Sequence, residues 1–174
     1  GSPHMTMTRR ETLLTLAALP ALGVATPLAA RSARQIGWAD LIPPGVPPAE
    51  IVSEGTVDAI KDIWRPVFDE NATRFNTALS GLNVRMPGYM LPLATSGSGV
   101  TEFILVPYAG ACIHVPPPPP NQLVFVTTER PWNAQVMFEP VWVTGTLAID
   151  PISTNLADIG YSMQADLIEL YEWK

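Results

Sequence analysis

The chain has 174 residues, 47% of them apolar and 15% charged, a size and balance that fit one domain. A single cysteine excludes an intramolecular disulfide, a four-cysteine zinc ribbon and a C-x-x-C redox site together. The net charge of −6 becomes −8 once residues 1–32 are set aside, with seven basic groups against fifteen acidic ones; such a surface repels phosphate backbones and anionic lipid, so nucleic acid is not an expected partner.

Residues 1–4, Gly-Ser-Pro-His, read as an expression scar. Residues 5–32 read as an export signal: Arg9 and Arg10, preceded by Thr8 and followed by Leu13 and Leu14, resemble the bacterial twin-arginine pattern, with Thr12 where that pattern usually has Phe. An alanine-rich apolar run follows, interrupted by Pro20, Gly23 and Pro27, and it falls short of the roughly 20 apolar residues that span a bilayer. Cleavage after Ala25, Ala30 or Ser32 each leaves a small residue at the end. The expectation is a soluble periplasmic protein with no membrane insertion after signal cleavage, residues 33–174 forming a single β-barrel domain.

From Arg34 to Glu50 the chain is punctuated by Pro43, Pro44, Gly45, Pro47 and Pro48, which predicts an extended surface arm pinned by Trp38 and Leu41. Over 50–64, Val57, Ile60, Ile63 and Trp64 recur at spacings of three and four, which predicts a short helix stopped by Pro66. Residues 69–79 read as helical or irregular. Five extended segments follow: Leu82 to Leu93, Thr101 to Tyr108, Gln122 to Thr128, Pro140 to Ile149 and Ile159 to Tyr171. The last alternates, with Tyr161, Met163, Ala165 and Leu167 on one side and Ser162, Gln164 and Asp166 on the other. Gly88 and Gly145 stand inside strands where a closing sheet has to bend. The fold class predicted is mainly β, a small five-stranded antiparallel barrel of the oligonucleotide/oligosaccharide-binding (OB) type with an N-terminal extended arm and short helix; a small sandwich competes.

One segment carries chemistry. Residues 110–122, Gly-Ala-Cys-Ile-His-Val followed by five prolines, Asn121 and Gln122, hold the only cysteine and the only histidine outside the N-terminal scar. Extended backbone there puts Cys112 and His114 on one face with Cα atoms about 7 Å apart, close enough for a thiolate and an imidazole to converge on one ion. Sulfur and nitrogen suit zinc or copper. Two ligands are not a site; Glu102, Glu139, water or the second chain of a homodimer are sources of more, and Met86 and Met90 offer thioethers to cuprous copper. Against this, a lone cysteine is often a small buried hydrophobe. A thiol nucleophile with His114 as its base lacks an orienting group and an oxyanion donor, so no catalytic residue is assigned and the protein is not expected to be an enzyme. Pro116 to Pro120 form a polyproline II rod of about 15 Å, either a crossover between strands or a ridge for a partner. Asn121 and Gln122 have amides able to tie its end to backbone groups. Trp132 and Trp142 read as core or rim aromatics, and Trp173 lies at the extreme terminus.

The stretches Gly-Tyr-Met-Leu-Pro-Leu at 88–93, Glu-Phe-Ile-Leu-Val-Pro-Tyr at 102–108, Gly-Ala-Cys-Ile-His and its prolines at 110–122, and Pro-Val-Trp-Val-Thr-Gly-Thr-Leu at 140–147 resemble a bacterial exported family catalogued as domain of unknown function 3299. The resemblance implies a place beside transporter components in periplasmic metal handling, zinc in particular, and strengthens Cys112 and His114 as ligands. The leading expectation is a soluble periplasmic protein that binds zinc or copper and serves metal transport or homeostasis. The alternative is a metal-free adaptor docking on a transporter component or other envelope protein through its polyproline ridge.

Overall fold

The computed structural model describes residues 33–113 and 115–173. The scar, the export signal and His114 lie outside the described residues. Three strands near the N-terminus are accessory: β1 (Arg34–Gln35) pairs in parallel with Val84 and Arg85, and a hairpin joins β2 (Ile51–Asp58) to β3 (Ile63–Phe68). The barrel is built from β4 (Asn83–Ser96), β5 (Gly99–Val106), β6 (Val124–Trp132), β7 (Glu139–Ser153) and β8 (Asp158–Leu170). Their neighbour order is β4-β5-β6-β8-β7, and β7 pairs back onto β4 to close the circle. All pairs are antiparallel except β6 with β8. The expected OB-like barrel is therefore present, and each of the five strands falls on its predicted segment. No helix among the described residues is long and apolar enough to cross a membrane.

Alternation along the strands makes two apolar layers. Side chains facing inward, including Met86, Met90, Phe103, Leu105, Val126 and Tyr161, fill the barrel and are fully buried or nearly so. Those facing outward from β4, β5 and β6, including Leu91, Ile104 and Val106, form a second cluster under the long connections, with Ala111, Cys112, Phe138 and Ile159 laid over them. Closure depends on close approach at Gly145. It sits at a register shift between β7 and β8, and a Cβ there would drive into the Gln164 carbonyl.

The N-terminal arm behaves as Trp38 and Leu41 predict. Trp38 donates its indole N–H to the Pro87 carbonyl at 3.0 Å, while Leu41 is fully buried and its carbonyl accepts the Tyr161 hydroxyl at 2.6 Å. That hydroxyl also accepts the Asn76 amide at 2.8 Å, so one buried phenol ties the arm and the 76–79 turn to β8. The short helices of the fold are 3₁₀ turns at Trp38–Leu41, Glu70–Thr73, Thr77–Leu79 and Pro120–Gln122.

Two local expectations are corrected. Residues 50–64 are not helical: they form the β2–β3 hairpin, turned by Asp58, whose carboxylate accepts the amides of Ile60 and Lys61 at 3.1 Å each. Arg65 holds this hairpin to the barrel through Asp158 at 3.2 Å and the Thr154 carbonyl. On β8, Tyr161, Met163 and Ala165 point inward as predicted, but Leu167 is 48% exposed and Ile168 packs on the core instead. The register shift at Thr144/Gly145 inserts one residue and flips the phase beyond it.

Candidate functional site

The crossover from β5 to β6 carries the Cys-x-His string, and its backbone is turned rather than extended. Gly110 has φ +86 and Cys112 φ +69, and the Gly110 carbonyl accepts the amides of both Ile113 at 3.2 Å and Val115 at 3.3 Å. The extended geometry that would set residues 112 and 114 on one face does not occur at Cys112. His114 itself lies outside the described residues.

Cys112 is a free, buried thiol packed with Ala111, Ile104, Leu123 and Ile159 of the outer layer. Burial pushes its pKa up to about 12, because the apolar surroundings penalise the thiolate. The neighbouring Tyr108 phenol is raised as well, first by its own burial and second by Cys112. A catalytic thiol needs the opposite shift, so at neutral pH this group is a protonated hydrocarbon-like side chain. It lines a cleft of about 190 Å³ together with Asp58, Asp62 and Trp64 of the β2–β3 hairpin and Pro117.

The remaining ligands expected from the sequence are dispersed. Met86 and Met90 lie inside the barrel, in a different cluster from Cys112. Glu139 is buried, faces Met90 across the β4–β7 ladder, and is committed elsewhere: it accepts the Trp132 indole N–H at 2.7 Å and the Gln135 amide at 3.3 Å. Glu102 is half-buried on β5 opposite Thr127. Among the described residues no three His, Cys, Asp or Glu side chains converge in a way that would hold a metal ion.

The proline rod is packed down, with Pro117 and Pro118 buried and Pro116, Pro119 and Pro120 half-buried. Its far end is tied as the amides predict. Asn121 donates to the carbonyls of Asn71 at 2.9 Å and Arg74 at 3.2 Å, and Gln122 donates to that of Trp38 at 2.9 Å. Its near end is held by the Tyr108 hydroxyl on the Pro116 carbonyl at 3.2 Å.

A second concavity, of about 170 Å³, opens at one end of the barrel and is lined by the aromatic rings of Trp38, Tyr89, Tyr171 and Trp173. Pro87, Pro107 and Pro140 complete its walls. Gly88 makes room for it: a Cβ there would sit 2.7 Å from Leu105 and 3.0 Å from the Trp38 ring. The Tyr171 amide donates to the Pro140 carbonyl at 3.0 Å, which fixes the C-terminal wall. Behind that wall Arg85 lies 3.9 Å from the centroid of a Trp142 ring, Trp142 stacks on Tyr171 at 5.4 Å, and Tyr171 meets Trp173 edge-on at 4.9 Å. The sequence shows each of these rings singly. Only the closure of β4 on β7 brings four distant segments to one rim.

Comparison with known proteins bears on the whole domain. The family model described as "Protein of unknown function (DUF3299)" matches residues 38–170. The fold is similar to the crystal structure of a DUF3299 family protein from Pseudomonas aeruginosa PAO1. The two are 38% identical over 82% of this chain and 99% of that chain, with a TM-score of 0.66. No curated protein matches the chain.

Proposed function

The chain belongs to the DUF3299 family, and from that premise we propose that it is an exported, metal-free adaptor of an envelope transport system, which holds a partner protein and does no chemistry itself. The observation that carries this reading is the open groove walled by Trp38, Tyr89, Tyr171 and Trp173. Exposed aromatic concavities of this kind suit protein docking, where large rings contribute most of the binding energy. The leader around Arg9 and Arg10 supports the placement in the periplasm. The proline rod serves the reading as the clamp that keeps the crossover on the barrel, and docking falls to the groove.

The rival reading is a zinc or copper carrier using Cys112 and His114. In its favour, Cys112 shares its cleft with Asp58 and Asp62. Against it, chelation has to release a proton from a thiol pushed up to about 12 inside an apolar layer. Two measurements on the mature chain separate the readings. Elemental analysis after loading and dialysis is expected to find no stoichiometric zinc or copper. A photo-crosslinking residue in place of Tyr89 is expected to give an adduct with a transporter component in the envelope, and the same probe at Asp150, at the far end of β7, none. Stoichiometric metal that disappears in Cys112→Ala, or equal crosslinking from both positions, overturns the adaptor reading.

A further inference from the structure

We infer that the aromatic groove takes an extended, proline-rich segment of a partner protein, bound as a polyproline II helix and carrying a basic residue. The inference rests on the adaptor reading and names its ligand. Three features of the groove lead to it.

Its walls are rings and prolines, the surface on which proline rings pack without hydrogen bonds of their own. A polyproline II helix has no internal hydrogen bonds, so its carbonyls need donors from the receptor. The groove has them: the hydroxyls of Tyr89 and Tyr171 and the indole N–H of Trp173 make no hydrogen bond among the described residues, whereas the Trp38 indole is spent on Pro87. The receptor is also ordered in advance. Tyr171 is held between Trp142 and Trp173, and Trp142 is capped by Arg85, so docking freezes little side-chain motion.

The basic residue follows from charge. Tyr171 and Trp173 also line an adjoining depression with Arg85, Glu169 and Glu172. Arg85 pairs with Glu169 at 3.6 Å, and the described lining of the depression carries two carboxylates, Glu169 and Glu172, to one guanidinium, a negative balance where the groove runs out. A lysine or arginine flanking the prolines would sit there, on a domain whose net charge without residues 1–32 is −8.

The test uses a synthetic proline-rich peptide with one arginine, titrated into the purified mature chain by calorimetry and by the change in tryptophan fluorescence. Saturable binding is expected. Trp173→Ala, at the exposed rim, and Tyr89→Ala, half-buried and packed against the outer apolar layer, are each expected to weaken it about tenfold, as hot-spot aromatics do, with urea unfolding showing that each variant folds. Glu172→Lys is expected to weaken it severalfold and to flatten its salt dependence. Replacing the peptide's prolines by alanine, or its arginine by glutamate, is expected to abolish or weaken binding in the same way. Absence of binding, binding equally tight to Trp173→Ala and Tyr89→Ala, or preference for the glutamate peptide overturns the inference. So does a concentration-dependent dimer broken by Tyr89→Ala, which would give the groove to a second copy of the chain. If the peptide fails while the Tyr89 crosslink to a transporter component persists, the ligand class is wrong and the adaptor reading stands. If both fail, both are wrong.

Discussion

Raising the pH isolates the Cys112 thiol. In the folded protein its pKa is pushed up to about 12 from an ordinary value of 9.0, by burial alone. The neutral thiol is thus favoured by folding. The stabilisation this represents is complete below pH 9, where the unfolded chain also keeps the proton, and is lost as pH rises toward 12 because only the unfolded chain can then release it. Each unit is about 1.4 kcal/mol, and the unfolded thiol is already half ionised at pH 9, so wild type should lose about 1.6 kcal/mol between pH 9 and 10.5 that Cys112→Ala does not lose. The alanine variant carries a constant deficit from the missing sulfur, which does not affect the slope. Tyr161 is also raised by burial and is common to both proteins, so it cancels; Tyr108, raised in part by Cys112, adds to the wild-type slope in the same direction. Urea unfolding at a series of pH values in reducing buffer measures the difference, provided the dependence on denaturant is unchanged. The same shift leaves roughly a thousandfold less thiolate at neutral pH than an ordinary cysteine has, so iodoacetamide should label the folded chain about a thousandfold more slowly than the chain in urea. Parallel pH profiles for the two proteins, or rapid labelling of the folded one, would refute the sealed thiol and reopen both chelation and nucleophilic chemistry.

Three other substitutions probe the frame that holds the groove and the crossover. Tyr161→Phe removes the hydroxyl shared by the Leu41 carbonyl and the Asn76 amide and should cost about 2 kcal/mol in urea unfolding, since the Leu41 carbonyl stays buried and the Asn76 amide half-buried. Gly145→Ala sets a methyl against the Gln164 carbonyl at the β7–β8 register shift and should cost about 3 kcal/mol or prevent folding, while Gly81→Ala, in open space at φ +82, should cost about 1 to 2 kcal/mol. Asn121→Ala leaves the Arg74 carbonyl without its donor and the Asn71 carbonyl with only the Arg74 amide, and should lower stability by about 1 kcal/mol and speed amide exchange in the crossover; an unchanged exchange pattern would mean that the prolines alone hold the segment.

The barrel was legible because its strands are long and their apolar positions are fixed by two packed layers; Phe103 to Val106 and Leu123 to Val126 are apolar on both faces because the outer face is buried too. The arm was legible through Trp38 and Leu41, and the end of the proline rod through Asn121 and Gln122, because large or amide side chains beside prolines have few other uses. The hairpin was not. Most of its residues are solvent-exposed on both faces, including Val52, Val57 and Ile60, so no burial period marks it as strand. What decides it is local: β-branched Ile51, Val52, Thr56 and Val57, Gly55 at φ +68, and the Asp58 turn. The turn at Cys112 was missed for a related reason. The proline after Val115 restrains only Val115, and left-handed backbone at a cysteine has no sequence signature apart from the glycine two residues earlier.

The two layers also bear on where a ligand can sit. In an open OB barrel the outer face of the second and third strands is the usual binding platform. Here those strands are β5 and β6, and Ile104, Val106 and Leu123 on that side are covered by Ala111 and Cys112 of the very connection that joins them. The cover is fastened at both ends, by Tyr108 to Pro116 and by Asn121 to the 71–74 backbone, and stiffened by five prolines between. Cys112 is part of that lid's hydrocarbon. A thiolate at this position and a closed lid are alternatives, because the charged form loses the apolar packing that closes it. With the platform sealed, the exposed aromatic surface lies at the end of the barrel, where Gly88 admits Trp38 and the chain's last residues bring Tyr171 and Trp173 alongside. Recognition at that rim adds no charge to the second core, whereas a thiolate at Cys112 would.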